Sequence, residues 1–266
     1  MTETTSPDLD LYARRLAFER PLAADLDTLR ALQRAHLRTV PFENSSVLFG
    51  EPIVLDQAAF VRKLGAQVRG GFCYELNGAF ASLLVDAGFA VELLEARVFT
   101  DGGRVGPRFD HLALRVTIDE PWLVDVGFGY SFLEPLRLST DAEQQDQMGT
   151  FRFSAAADGI DLEWRHRDGR WVAEYRFDPK PHDLEDFGDT CAYQQTSPDS
   201  PFVQGWICSL VDGNGATTLS DRRLIVSSGE TRTEQDVDDA DLPAILAARF
   251  GIRARLEGRR WIRAGG

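Results

Sequence analysis

The sequence predicts an α+β fold in which helices come first along the chain and strands follow. From about residue 8 to residue 88, apolar residues recur at helical spacing, whereas from about residue 89 to residue 190 they alternate with polar ones. Residues from about 200 onward contain further strands and a helix at 241–250 that stops at Gly251. Because helices and strands occupy separate stretches, the chain is predicted to be α+β rather than alternating α/β.

Three apolar stripes predict the helices of the first stretch. The first runs from Leu9 to Leu16 and the second from Leu26 to Leu37. The third follows Cys73 and ends at Gly88, which indicates an amphipathic helix that stops at a glycine. In the strand region, alternation is clearest in residues 90–98 and 171–177.

A lone cysteine stands where a glycine turn meets the third predicted helix. Residues 69–77 read Arg-Gly-Gly-Phe-Cys-Tyr-Glu-Leu-Asn, and the paired glycines permit a backbone course that a side chain would block. Cys73 falls in the first helical turn, where unpaired N–H groups and the helix dipole favour a thiolate. The alternative is a small buried hydrophobe, a common state of free cysteine.

Partners for a reactive thiol occur in the strand region. His111 opens an alternating strand at 111–118, and a turn at 119–121 leads into a second apolar strand that carries Asp125. A carboxylate among apolar strand residues is costly to bury without a partner. The sequence therefore predicts a hairpin in which His111 is the nearest partner of Asp125.

The expected register of this hairpin brings the two side chains close together. If Val116 faces Pro121 across the turn, His111 lies opposite position 126, within one residue of Asp125. A small bulge or shift would then place both side chains on one face of the sheet.

Cys73, His111 and Asp125 together predict a catalytic triad. The thiolate would be the nucleophile, and the imidazole would accept the thiol proton and later return a proton to the leaving group. The carboxylate would fix the tautomer and orientation of the ring. In the alternative interpretation Asp125 caps a turn or pairs with an arginine, and His111 fills a strand edge.

Five segments carry a resemblance to a known family. They are residues 40–44 (Val-Pro-Phe-Glu-Asn), residues 69–75, the strand at His111, residues 125–129 (Asp-Val-Gly-Phe-Gly) and residues 197–202 (Ser-Pro-Asp-Ser-Pro-Phe). With these segments in this order, the chain resembles the arylamine N-acetyltransferases.

This resemblance implies three structural parts. A helical bundle over residues 1–88 would carry the nucleophile, a β-barrel over residues 89–195 would carry the histidine and the aspartate, and an α/β lid would span residues 196–266. The triad would have the arrangement found in cysteine proteases and transglutaminases.

The resemblance also implies acetyl transfer in two half-reactions. Cys73 would take the acetyl group of acetyl-CoA, and an arylamine, arylhydrazine or hydrazide would then accept it. Such acceptors are weak bases and largely neutral at pH 7, whereas an alkylamine with a pKa of about 10.4 is protonated and has no free lone pair.

The resemblance places apolar side chains around the thiol, where they would shape the acceptor site and exclude water. These residues are Phe42, Val98, Phe128 and Phe202. It also suggests that CoA passes close to Gly127 and Gly129. For each phenylalanine, ordinary core packing is the alternative, because the chain contains 17 of them.

Composition limits the remaining classes. A net charge of −13 argues against a nucleic-acid partner. Three cysteines without a disulfide framework, a polar N-terminus and no apolar run of membrane length predict a cytoplasmic protein with no membrane partner. Four scattered histidines predict no metal site. The oligomeric state cannot be read from the sequence.

Two other enzyme classes share the residues of the triad. An amide synthase of the same fold would close a macrolactam from an acyl chain bound to a carrier protein. A cysteine hydrolase or transglutaminase-like enzyme would form its acyl-cysteine from an amide or peptide. The acyl donor distinguishes all three, because only acetyl transfer consumes acetyl-CoA.

Overall fold

Helices form the first part of the chain. The computed structural model describes residues 6–100, 102–165, 169–213, 215–229, 231–258 and 260–264. The elements before residue 90 are α1 (Pro7–Arg15), α2 (Leu26–Thr39), β1 (Phe42–Glu43), α3 (Ser45–Phe49), α4 (Gln57–Gly65) and α5 (Cys73–Asp86). Asp25 and Asp56 cap α2 and α4 by accepting hydrogen bonds from backbone N–H groups of the first turn.

Helix α5 is central rather than amphipathic. Eleven of its fourteen residues are buried, because α4 packs against one side of it and strands of the following sheet pack against another. A helix that is apolar on all sides belongs in the interior. The predicted amphipathic character of this helix is therefore wrong, although its start and approximate end are as expected.

The strands described between residues 90 and 182 form one antiparallel, barrel-like sheet. Its order is β5-β4-β3-β2-β9-β8-β7-β6. The bounds are β2 (Ala90–Val98), β3 (His111–Thr117), β4 (Pro121–Val124), β5 (Leu136–Arg137), β6 (Gln144–Asp146), β7 (Gly149–Ala156), β8 (Gly159–Arg165) and β9 (Trp171–His182). Strand β3, which begins at His111, packs against α5.

The hairpin of β3 and β4 has a register one residue away from the predicted one. Thr117 pairs with Pro121, and Val116 pairs with Trp122 instead. The loop therefore holds three residues, 118–120, and not the four that the prediction assumed. No glycine marks the turn, so the sequence alone does not fix its length.

The observed register places the two predicted partners on one face without a bulge. Regular pairing ends at Leu114 with Val124, and its continuation sets Asp125 opposite Ala113. Residues two apart on a strand point to the same face, so Asp125 shares its face with both Ala113 and His111.

The last part of the chain forms a second sheet with helices around it. Its order is β1-β10-β11-β12-β13, so the short strand β1 from the helical part joins it. The elements are a 3-10 turn (Leu184–Phe187), α6 (Gly188–Thr196), α7 (Pro201–Gln204), β10 (Ile207–Asp212), β11 (Gly215–Ser220), β12 (Arg223–Ser228), β13 (Thr231–Asp236), α8 (Leu242–Phe250), β14 (Ala254–Glu257) and β15 (Arg260–Arg263).

Two hydrophobic clusters stabilise the molecule. The larger joins the helices to the barrel-like sheet and contains Cys73. The smaller lies under the second sheet, around Trp206 and Leu246. The division of the chain at residues 88 and 195 stays a prediction. In the described ranges, no helix has both the length and the apolar composition needed to cross a membrane.

Candidate active site

The turn before α5 is held tightly by its neighbours. A Cβ at Gly70 would overlap the carbonyl oxygen of Pro41, so only glycine fits there. The buried carboxylate of Glu75 accepts a hydrogen bond from the N–H of Phe72 at 3.3 Å and another from Nζ of Lys63 at 2.6 Å. These contacts fix the first turn of the helix and, with it, the position of Cys73.

The thiol of Cys73 lies against the main chain on both sides of His111. Its Sγ is 3.9 Å from the carbonyl oxygen of Asp110, and the N–H of Leu112 donates a hydrogen bond to it. Burial raises the pKa of the thiol well above its usual value, and only the Leu112 contact opposes this. The start of the helix is therefore not enough to ionise the thiol, which needs a group that accepts its proton.

His111, whose two neighbours in the chain contact the thiol through their main chain, forms a buried pair with Asp125. Nε2 of the imidazole is 2.7 Å from Oδ2 of the carboxylate, and both residues are almost fully buried. Because a neutral imidazole has one donor and one acceptor nitrogen, a hydrogen on Nε2 leaves Nδ1 as the basic nitrogen. A cysteine packed against the segment of a histidine that a carboxylate orients is the set of groups that nucleophilic acyl transfer uses.

Asn77 connects this pair to the helix of the cysteine. Its Nδ2 donates to Oδ1 of Asp125 at 2.9 Å and to the carbonyl of Leu112 at 2.6 Å. Its Oδ1 accepts from the N–H of Val126 at 2.9 Å. Asn77 was not among the predicted site residues, although its position four residues after Cys73 places both on one face of the helix.

Gly127 and Gly129, which were expected near CoA, both lie at the site. A Cβ at Gly127 would come within 2.8 Å of Cα of Cys73 and 2.6 Å of Nδ2 of Asn77. Residue 127 must therefore lack a side chain for this segment to pack against α5. Gly129 has a φ of +88°, and a Cβ there would contact the ring of Phe42 at 3.5 Å.

Phe128 and Val98 lie on the His111 side of the site. The rings of Phe128 and Tyr175 have their centroids 5.3 and 5.1 Å from that of His111. Val98 is the cross-strand partner of Tyr175. Tyr175 was missed, because nothing in the sequence links it to a histidine 64 residues earlier.

Phe42 and Phe202 lie close to the residue that precedes the cysteine. Their ring centroids are 6.1 Å apart, and the ring of Phe202 also meets that of Phe72, the residue before the cysteine, at 5.7 Å. All four apolar residues that were expected at the site therefore lie close to the Cys73 or His111 segments. Whether they bind an acceptor stays a prediction.

Among the described residues, no group of three or more histidine, cysteine, aspartate or glutamate side chains is arranged to hold a metal ion.

Comparison with known proteins places this site in a family context. A family model described as N-acetyltransferase matches residues 25–259. An arylamine N-acetyltransferase of Mycolicibacterium smegmatis is 35% identical over 254 residues, which are 92% of this chain and 92% of the relative.

Solved structures are similar over nearly the whole chain. Mycobacterium marinum arylamine N-acetyltransferase in complex with CoA has a TM-score of 0.85 at 31% identity, over 91% of this chain and 92% of that one. A Bacillus cereus arylamine N-acetyltransferase with a Cys-His-Glu triad has a TM-score of 0.84 at 25% identity, over 94% and 100%. This similarity confirms the predicted fold class.

Proposed function

This chain belongs to the arylamine N-acetyltransferase family of acyltransferases, and we propose that it transfers acetyl groups from acetyl-CoA to arylamines, arylhydrazines or hydrazides through an acetyl-Cys73 intermediate. The observation that carries the proposal is the position of the Cys73 thiol against the segment of His111, whose ring is bonded to the buried carboxylate of Asp125. The catalytic roles of these three residues are part of the proposal.

The first half-reaction charges the enzyme. Nδ1 of His111 accepts the proton of the Cys73 thiol, and the thiolate attacks the carbonyl carbon of the thioester. The tetrahedral intermediate expels the sulfur of CoA, which takes the proton from the imidazolium. Asp125 stabilises the imidazolium and holds the ring through Nε2. The backbone N–H of Cys73, at the start of α5, is the donor that we assign to the oxyanion.

The second half-reaction discharges the enzyme. The acceptor nitrogen attacks the carbonyl carbon of acetyl-Cys73, His111 accepts a proton from this nitrogen, and the thiolate leaves as the amide forms. The nitrogen must present a lone pair, which favours weakly basic aromatic amines and hydrazines. The rings of Phe42, Phe128 and Phe202 supply an apolar wall for such a molecule and keep water from the thioester.

Features of the relatives support this assignment. A similar enzyme, that of Mycobacterium marinum, has been solved in complex with CoA. The Bacillus cereus relative has a carboxylate as the third triad member, the role that we propose for Asp125.

Intact-mass measurement after brief exposure to acetyl-CoA, without an amine, tests the proposal. We expect one added acetyl group on the wild-type chain and none on Cys73→Ala, whereas Cys208→Ala, which changes a buried thiol of β10, should still be acetylated. Asp125→Asn should slow the reaction about 10³- to 10⁴-fold, because the ring loses its orienting acceptor.

The same assay separates acetyl transfer from the two other enzyme classes. An amide synthase that accepts only carrier-bound chains, or a hydrolase that acts on amides, would give no adduct and release no CoA. Absence of the adduct on folded wild-type protein would overturn the proposal. Release of CoA that depends on an arylamine would complete the evidence for transfer.

A further inference from the structure

A chain of buried polar side chains connects the residue before His111 to the segment of Phe202. Nε2 of Gln194, in α6, donates to Oδ1 of Asp110 at 2.7 Å. Oε1 of the same amide accepts from the hydroxyl of Ser200 at 2.6 Å. Gln194 is 5% exposed and Ser200 is fully buried. These contacts join residues 84 positions apart in the sequence.

Asp110 is tied to the nucleophile through its main chain. Its carbonyl oxygen lies 3.9 Å from Sγ of Cys73 and accepts a hydrogen bond from the hydroxyl of Tyr74 at 3.3 Å. Its carboxylate also accepts from the N–H of Val98. One end of the polar chain therefore holds both the loop that leads into His111 and the end of β2.

Ser200 holds the main chain of Phe202 at the other end. Its Oγ accepts from the N–H of Phe202 at 3.2 Å. The carbonyl of Phe202 accepts from Nδ2 of Asn44 at 2.8 Å. The backbone of Phe202 is therefore fixed on both sides. Ser200, which provides one of these supports, is itself held by the side-chain amide of Gln194 and by the main-chain carbonyl of the same residue at 3.0 Å.

We propose that Gln194 is a positioning residue for the second half-reaction. It sets the distance between the segment of Phe202 and the segment that carries Val98 and His111. The inference rests on the function proposed above. Gln194 makes no hydrogen bond to Cys73, His111 or Asp125 among the described residues, so we expect acetylation of Cys73 to depend on it much less than transfer to the acceptor does. Its contribution is to hold the acceptor against acetyl-Cys73.

Removal of the amide breaks the link between Asp110 and Ser200. In Gln194→Leu, the side chain keeps a similar volume, but Oδ1 of Asp110 loses its donor and the hydroxyl of Ser200 keeps only the main-chain carbonyl of residue 194, at 3.0 Å. A misplacement of about 1 Å can cost 10²-fold in rate when a reactant is held by its surroundings. We expect the KM for the arylamine to rise about 10-fold, while the rate of Cys73 acetylation changes less than about 2-fold.

Gln195 offers a matched control on the same helix. Its amide also makes two hydrogen bonds across the molecule, accepting from the N–H of Ile53 at 2.7 Å and donating to the carbonyl of Ile53 at 3.1 Å. It does not contact Asp110 or Ser200. Gln195→Leu should lower the melting temperature about as much as Gln194→Leu does. It should leave the KM for the arylamine within about 2-fold of wild type.

Variants of Asp110 test the same link from its other end. In Asp110→Asn, the single side-chain oxygen still accepts from Nε2 of Gln194 but the contact with the N–H of Val98 is lost, so we expect the acceptor KM to rise less than in Asp110→Ala. Asp110→Ala removes the acceptor and should raise that KM. The double variant Asp110→Ala, Gln194→Leu should raise the acceptor KM by less than the product of the two single effects, because both substitutions break the same hydrogen bond between Gln194 and Asp110.

The half-reactions are measured separately, by intact mass for acetylation of Cys73 and by amine-dependent decay of the acetyl-enzyme. If wild-type protein is acetylated and transfers the group, but Gln194→Leu has the acceptor KM of Gln195→Leu, the inference is wrong and the proposed function stands. If Gln194→Leu slows acetylation of Cys73 as much as it impairs transfer, the role in the second half-reaction is also wrong. If wild-type protein takes no acetyl group, the proposed function fails first.

Discussion

The side chain of Asn77 donates a hydrogen bond to the carboxylate of Asp125 over 2.9 Å, so the helix that begins at Cys73 is bonded directly to the partner of His111. Asn77 follows Cys73 by one helical turn. The helix that carries the thiol is therefore joined to the histidine by hydrogen bonds through Asp125, in addition to the packing of α5 against β3.

Replacement of Asn77 by alanine should impair acetylation more than it impairs folding. Asp125 would keep the N–H of Gly127, which donates to Oδ1 at 2.8 Å, but the bond to α5 would be lost. We expect acetyl-Cys73 to form about 10- to 100-fold more slowly, since orientation of the pair is relaxed. The free energy of unfolding should fall by about 1–3 kcal/mol, because buried groups lose their partner.

The measurement is single-turnover acetylation followed by intact mass, with urea unfolding alongside. Ser82→Ala is the control on the same helix, because among the described residues the Ser82 hydroxyl bonds to the local carbonyl of Gly78 alone, at 3.1 Å. It should react at the wild-type rate. Normal acetylation of Asn77→Ala would show that Asn77 does not position the triad.

A methyl group at Gly127 should disturb the same region by contact alone. Its Cβ would lie 2.8 Å from Cα of Cys73, and backbone atoms cannot move aside as a flexible side chain can. We expect Gly127→Ala to lower the free energy of unfolding by about 1–3 kcal/mol and to slow acetylation of Cys73. Melting temperature and single-turnover rate measure the two effects.

Gly188→Ala is the matched control for this substitution. Gly188 begins α6, and a Cβ there meets no atom within 4 Å. Alanine should raise the free energy of unfolding by about 0.5–1 kcal/mol, because glycine loses more backbone entropy on folding. An equal effect of alanine at both positions would contradict the steric argument.

Local patterns in the sequence are enough for the elements whose cause is local. The alternation of residues 90–98 predicts β2 with its observed bounds, and Gly251 ends α8 in the left-handed conformation, as expected for a helix stop. The glycine turn likewise predicts that α5 begins at Cys73. In each case, the residues that determine the feature are neighbours in the chain.

Features that depend on distant residues escape such reasoning. The burial of α5 on all sides depends on the sheet that packs against it, and Tyr175 reaches His111 only through the pairing of β2 with β9. Gln194 and Asp110 have no common motif. The three-residue turn at 118–120 contains neither glycine nor asparagine, so the register had to come from the structure.

The carboxyl group of Glu174 should make stability depend on pH. Burial raises its pKa from 4.5 to about 7, so between these values the folded chain binds a proton that the unfolded chain has released. The free energy of unfolding therefore falls as the pH rises through this window. Glu174→Gln should not show this loss and should exceed wild type by on the order of 2 kcal/mol at pH 8.

Urea unfolding at several pH values between 3 and 8 measures the difference between wild type and Glu174→Gln. Burial lowers the pKa of His36 well below its usual value, so the free energy of unfolding falls as the pH falls below about 6.5. This loss is the same in wild type and in Glu174→Gln, so it cancels in the difference. Glu92→Gln is the control of opposite sign, because Arg115 lowers the pKa of Glu92. It should lower stability at pH 7 and leave it unchanged at pH 3. A constant difference between Glu174→Gln and wild type would contradict the assignment.

Val68 is expected to destabilise the turn that leads to the active site. It is 63% exposed and has a φ of +53° at the end of α4, a conformation that a β-branched residue rarely adopts. Val68→Gly should raise the free energy of unfolding by about 0.5–1 kcal/mol, because relief of the left-handed strain exceeds the entropy that glycine adds to the unfolded chain. Val85→Gly, at a similarly exposed position in α5, should lower it by about 0.5 kcal/mol, since glycine is the poorer helix former. Thermal unfolding distinguishes the two signs, and destabilisation by glycine at both positions would mean that Val68 is not strained.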